Sequence, residues 1–172
     1  MFLEASDFVG KYKIAKDCYS KDLLESYIDK YEKIYLQDLL GVALYNAFVA
    51  DLNDDDSPKP QSLRFREIFN ERVTEDVFGA MYRSDGMLEM LKGYVYYHYV
   101  LDQEFKNTIN GTVINQASFS QKVALAKSTL EDRYNLATDT YISIQLYLMD
   151  NEETYPEYKG KSKKLSFFGG AF

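Results

Sequence analysis

The sequence predicts a mainly α-helical bundle with long antiparallel helices, one inserted β-hairpin and an extended C-terminal arm. Three stretches carry this expectation. Leu88 to Lys106, LEMLKGYVYYHYVLDQEFK, is apolar on almost every face, so as a helix it belongs in the middle with neighbours on several sides. Asn107 to Ile114 follows at once and reads as a tight hairpin. Asn110-Gly111 is the favoured pair for a type I′ turn, and Thr108, Ile109, Thr112, Val113 and Ile114 supply β-branched flanks. Further on, Val123, Lys127, Leu130, Tyr134, Ala137, Tyr141, Ile144 and Leu148 alternate steps of four and three, a heptad seam with one charged defect.

In chain order, residues 1 to 20 carry Phe2, Leu3, Phe8, Val9, Tyr12 and Ile14 without a sustained period, which predicts an extended arm or short strand pinned to the body. Helix begins near Ser20 or Asp22. Leu24, Tyr27, Ile28, Tyr31, Ile34, Tyr35 and Leu39 form its apolar side, and Glu25, Asp29, Lys30, Glu32 and Lys33 its solvated side. Leu40-Gly41 offers a cap, and Leu44, Tyr45, Phe48, Val49 and Leu52 start a second helix at once, so Gly41 marks the corner of a kinked pair. Asn53 to Pro60 is a charged, proline-containing loop. Phe65, Phe69, Val73 and Val77 suggest a third helix, with a weak point at Asn70. Ser84-Asp85-Gly86 opens the central helix, whose first turn holds Glu89. The last helix should run from about Ser120 to Asp150, roughly 45 Å at about 1.5 Å per residue, antiparallel to the central one. Residues 1–156 thus form one helical domain with an N-terminal arm, and 157–172 a C-terminal docking tail.

Composition narrows the function classes. The 172 residues hold 16 Tyr and 11 Phe but no Trp, and tyrosines suit both helix-packing layers and a partly wet partner surface. Net charge is -7, which disfavours a protein held to nucleic acid by phosphate neutralisation. Residues 157–172 run against this trend, with four lysines and one glutamate, so the remainder carries -10. Lone Cys18 makes no intrachain disulfide, and neither secretion nor a membrane span is indicated.

Chemical motifs are sparse. His98 and Asp102 lie one helical turn apart and offer two ligands or an acid and base, but a packed, paired histidine is the plainer reading. Glu25, Asp29 and Glu32 read as a solvated row. Asp51 with Asp54 to Asp56 lacks the glycine and distal glutamate of a calcium loop. No cofactor, metal or catalytic residue is expected. The candidate sites are contact surfaces instead: Thr108, Ile109, Asn110, Gly111, Thr112 and Val113 in the hairpin, and the tail. There Lys159, Lys161, Lys163 and Lys164 precede Leu165, Phe167, Phe168 and Phe172, an order that suits steering followed by anchoring on an acidic partner. The tail is expected to order only on a neighbouring protein.

YEKIYLQDLLGVALYNAF (31–48), SDGMLEMLKGYVYYHYV (84–100), FKNTINGTVINQ (105–116), RYN (133–135) and DTYISIQLYL (139–148) together resemble a family of small virion proteins. These are head-to-tail connector, or neck, proteins of tailed bacteriophages, especially crAss-like and related phages of Bacteroidetes hosts. The resemblance covers about residues 7 to 150 and rests on structural rather than catalytic motifs. It implies an all-helical, non-enzymatic adaptor that forms a ring, commonly a dodecamer, below the portal in the virion. Such a ring binds the portal and other neck or tail proteins and lets DNA pass without sequence-specific contact. The rival reading is a cellular helical module that binds a small ligand or a protein through its tyrosine-lined interior.

Overall fold

The computed structural model describes residues 2–14, 19–53, 58–75, 79, 81–108, 111–114 and 120–160, of which 104–128 are described by backbone alone. The expected class is found. Helix α1 (Lys21–Ala50) is followed by the short α2 (Leu63–Phe69), strands β1 (Arg72–Glu75) and β2 (Met81–Ser84), and the central α3 (Met87–Glu104). Strands β3 (Phe105–Thr108) and β4 (Gly111–Ile114) then lead to α4 (Ser120–Asp150). No helix among the described residues is long and apolar enough to cross a membrane.

Helix α3 is the hub because its apolar residues point in all directions. Met87, Met90, Leu91, Tyr94, Val95, Tyr96 and Tyr99 are all buried. Helices α1, α2 and α4 and the N-terminal segment pack around it. Its start follows the sequence signal: the Ser84 hydroxyl accepts the Gly86 N–H at 3.2 Å, and the Met90 N–H bonds Gly86 O at 3.1 Å. Contacts from Asp85 to Thr140, Tyr94 to Thr138 and Tyr97 to Tyr134 run in opposite directions along α3 and α4, so the two are antiparallel. The heptad seam of α4 buries Leu130, Ala137, Tyr141, Ile144 and Leu148. Close approach is possible because residue 93 has no side chain. A Cβ placed on Gly93 would sit 2.7 Å from the Ala137 Cβ and 3.1 Å from Arg133 O.

Gly41 is the corner that the sequence indicates. Its φ of 70° and ψ of 162° interrupt α1, a left-handed turn that costs a side-chain-bearing residue more than glycine. Beyond it Phe48 packs on Phe2 at 5.7 Å and Phe65 at 5.4 Å. Asp51 ends the helix and accepts the N–H groups of Gln61 (2.9 Å) and Ser62 (2.8 Å), which brings α2 alongside. Asp51 is therefore a loop staple, while Asp54 to Asp56 lie outside the described residues, as does Cys18.

Several expectations need correction. The third helix ends at Phe69, because Asn70 turns extended (φ -83°, ψ 166°), and Val73 belongs to β1; Val77 lies outside the described residues. Residues 72–75 alternate half-buried and exposed, a period of two that the accidental four-residue spacing of Phe65, Phe69 and Val73 had masked. They pair with β2 in a second hairpin, Arg72 opposite Ser84 and Glu75 opposite Met81. The central helix stops at Glu104, and Phe105 and Lys106 go to β3. In the predicted hairpin Thr108 pairs with Gly111, so Gly111 is a strand residue and the connection falls at 109 and 110, which lie outside the described residues. Glu32 is not part of a solvated row but 95% buried, where it takes the backbone N–H groups of Phe2 (3.1 Å) and Leu3 (2.7 Å).

That contact pins the N-terminal arm, which is neither strand nor fully extended. It makes two short 3₁₀ turns (Ala5–Asp7 and Gly10–Tyr12) and buries Leu3, Ala5, Phe8, Tyr12 and Ile14. Lys11 then bridges to Glu89 at 2.6 Å.

Gly93→Ala should lower stability by about 1 to 3 kcal/mol through overpacking against α4. Ala137→Gly in the same chain should recover part of the loss. Urea denaturation followed by circular dichroism measures both, and an unchanged midpoint for the single variant would mean that α3 and α4 are not in this close contact.

Candidate functional site

The interior between α1 and α3 is an aromatic ladder built from two sequence rows with the same spacing. Tyr27, Tyr31 and Tyr35 recur every four residues on α1, and Tyr94, His98 and Asp102 recur every four on α3. The helices face each other in opposite directions, so the rows pair rung by rung. Tyr35 stacks on Tyr94 with ring centroids 3.7 Å apart and planes 2° apart. Tyr31 stacks on His98 at 4.0 Å and 2°. Tyr27 donates its hydroxyl to Asp102 Oδ2 at 2.7 Å. From α4, Tyr134 closes the layer, edge-on to Tyr94 at 5.3 Å and against Tyr97 at 4.6 Å.

Polar tips inside the ladder are used. Tyr35 Oη and His98 Nε2 are 2.8 Å apart, one hydrogen bond in either histidine tautomer. Tyr94 donates to Thr138 Oγ1 at 3.3 Å. Burial pushes the Tyr35 and Tyr94 hydroxyls well above the ordinary range, so they remain donors. Burial also lowers His98, opposed by the Asp102 charge and reinforced by Lys30, which keeps the imidazole neutral near pH 7. His98 and Asp102 are thus each committed to a tyrosine rather than to one another. Among the described residues no three acidic, histidine or cysteine side chains gather as a metal set. The rings fill each other's space, and what the layer does is fix register.

The expected contact surfaces lie at the periphery. Thr108, Thr112 and Val113 sit in the β3–β4 ladder, with Thr112 opposite Asn107 and Val113 opposite Lys106. Among the described residues the main neighbours of this hairpin are its own two strands and the end of α3. Lys159 is exposed, its Nζ 3.1 Å from Pro156 O. Lys161, Lys163, Lys164, Leu165, Phe167, Phe168 and Phe172 lie outside the described residues, as do Ile109 and Asn110.

The stem of the tail is more firmly built than its composition suggests. Tyr155 is fully buried and donates to Arg64 O at 2.5 Å; Tyr158 is buried too, and Glu157 pairs with the Arg64 guanidinium at 3.2 Å. Packing on the body therefore continues through Tyr158, two residues beyond the proline at which the sequence loses period. Beside this cluster Arg72 lies over Tyr147, its guanidinium carbon 3.2 Å from the ring centroid. Tyr147 in turn donates to Glu67 at 2.7 Å. Sequence reasoning missed Arg64 and Arg72 because each meets partners about 75 to 93 positions away, a separation that no local period encodes.

Residues 36–167 match the profile of DUF6712, a family of unknown function. The chain belongs to DUF6712. The matched span begins just after Tyr35, takes in both hairpins, α3 and α4, and reaches Phe167 in the tail. No curated protein and no solved structure matches the chain.

Replacing His98 by Ala should cost about 1 to 3 kcal/mol near pH 7.5, from the lost stack and an orphaned Tyr35 hydroxyl. The folded state holds His98 below its unfolded value near 6.5, so the wild-type histidine's contribution is present above that pH and lost as pH falls through it. The stability gap between wild type and His98→Ala should therefore narrow from pH 7 to pH 5. A gap that stays constant in denaturant titrations across this range would contradict a buried neutral imidazole.

Proposed function

We propose that this DUF6712 member is a structural subunit of a tailed-phage neck, one that forms a ring below the portal, extends the DNA channel and joins head to tail. The observation that carries the reading is the β3–β4 hairpin, which joins the two long antiparallel helices and, among the described residues, has its own two strands and the end of α3 as its main neighbours. A lone two-stranded ribbon is marginal in water, so a neighbouring subunit is the natural source of its missing contacts. The segments that resemble neck proteins supply the frame: 31–48 lies in α1, 84–100 spans the start and most of α3, 105–116 covers the hairpin, and 133–135 and 139–148 lie in α4.

The remaining features fit a channel wall. A ladder filled by its own rings leaves α1 and α3 stiff and gives a small ligand little room, which favours a structural role over a ligand-binding module. The net charge of -7 repels phosphate, so duplex DNA would slide rather than adhere. Residues 159–172, beyond the stem packed on the body, serve as the docking arm toward the portal or another neck protein, with lysines for approach and phenylalanines for retention.

Electron microscopy of the purified chain mixed with its portal should show an added ring of density, twelve-fold if the portal is. A chain that stays monomeric and adds no density to the portal would overturn the reading. Asn110→Ala with Gly111→Ala should reduce ring incorporation more than helical content seen by circular dichroism. Equal loss of both would assign the hairpin to the subunit's own core.

A further inference from the structure

The second half of α1 presents an uncharged, partly apolar face. From Val42 to Ala50 the helix reads VALYNAFVA, with no charged side chain. Leu44 and Phe48 are buried, but Val42 is 70% and Val49 42% exposed, and Ala43, Asn46 and Ala50 lie open between them. These positions fall on one helical stripe at intervals of three and four. Leu63, 73% exposed, stands at the first position of α2, beside the end of α1 through the bonds of Gln61 and Ser62 to Asp51. The stripe starts just past the Gly41 kink and ends at Asp51.

The C-terminal residues have the complementary character. Lys161, Lys163 and Lys164 come first, and Leu165, Phe167, Phe168 and Phe172 follow. Their stem is fixed at the same end of the molecule, since Glu157 and Tyr155 both hold Arg64, the residue after Leu63. The twelve residues past Gly160 reach at most roughly 40 Å when extended. We propose that the Val42, Val49 and Leu63 face is the docking surface for residues 161–172 of a neighbouring copy of this chain. The phenylalanines cover the valines, and the lysines meet Asp51 at the end of the stripe. An acceptor face and a donor segment at different places on one chain make a heterologous contact, the kind that closes rings. The inference rests on residues 159–172 acting as a docking arm and names the surface that receives it.

The test uses the full chain carrying Phe167→Ala and Phe168→Ala as receptor, so that its own tail does not compete, and a labelled synthetic peptide of residues 159–172 as probe. Saturable binding should appear in fluorescence anisotropy and weaken by about tenfold or more with Val42→Lys and Val49→Lys in the receptor, their melting temperature being little changed at such exposed sites. Absent binding, or binding indifferent to the two lysines, would overturn the proposal. Wild-type chain should also associate with rising concentration in sedimentation, and the two-Phe variant should not. If the peptide binds only the two-Phe variant and wild type stays monomeric, the segment lies on its own subunit, which overturns the neighbour assignment. Peptide binding is read on the purified chain, so it stands or falls separately from ring formation beneath a portal.

Discussion

The three-rung contact between α1 and α3 sets the geometry on which the other packing depends. Flat stacking of Tyr35 on Tyr94 and Tyr31 on His98 tolerates little sliding, and the Tyr27–Asp102 hydrogen bond fixes the last rung. A shift by one turn of either helix would set Tyr against the wrong partner at every rung. Once register is set, the far side of α3 offers Gly93 to Ala137, and α4 settles along the line where the missing side chain lets the backbones come close. Buried Glu32 of α1 meanwhile receives the arm. One register thus places three contacts that are far apart in sequence.

Tyrosine rather than phenylalanine suits this layer for a physical reason. An all-Phe interface would bury similar area, but the hydroxyls add directional bonds: Tyr27 to Asp102, Tyr35 with His98 and Tyr94 to Thr138; at the stem of the tail Tyr147 to Glu67 and Tyr155 to Arg64 O do the same. Each bond contributes modestly when made but leaves a costly orphan if its partner moves, so the layer gains uniqueness more than raw stability. Glu32 follows the same logic. Desolvation raises its pKa, the two arm N–H groups oppose that, and the carboxylate is tolerable in the interior only while the arm is seated.

How much of this was legible depended on how local each cause is. The bounds of α4 were readable because a heptad seam repeats over its whole length, and the kink at Gly41 because glycine between two apolar periods has few other uses. β1 was not readable, since Val73 continues the spacing of Phe65 and Phe69 by coincidence, and only the extended Asn70 separates the two patterns. The hairpin was recognised, yet its register slipped by one residue because the Asn-Gly preference outweighed the pairing of Thr108 with Gly111. The ladder's two rows stood in plain sight as spacings of four. Their pairing was hidden, because it depends on how two helices slide past each other. Glu32 was read as solvated because its partners are the backbone N–H groups of Phe2 and Leu3, which carry no side-chain signature.

Gly41 also divides α1 by task. Before it, residues 21 to 40 carry eight charged side chains on a helix whose inner side is committed to the ladder and the arm; after it, residues 42 to 50 carry none. Ordinary solvent-facing helix surface is kept soluble by charge, and the first half follows that rule. The second half abandons it while leaving two valines open, although Phe48 anchors its inner side against Phe2 and Phe65. A kink is what lets one helix serve both demands. It breaks the continuity of the inner stripe, so that the residues past Gly41 can turn their inner side to the phenylalanine cluster and their outer side to whatever covers the valines. An aliphatic stripe that ends at Asp51 is poorly suited to water but well suited to a basic, phenylalanine-bearing segment, and this same chain carries one.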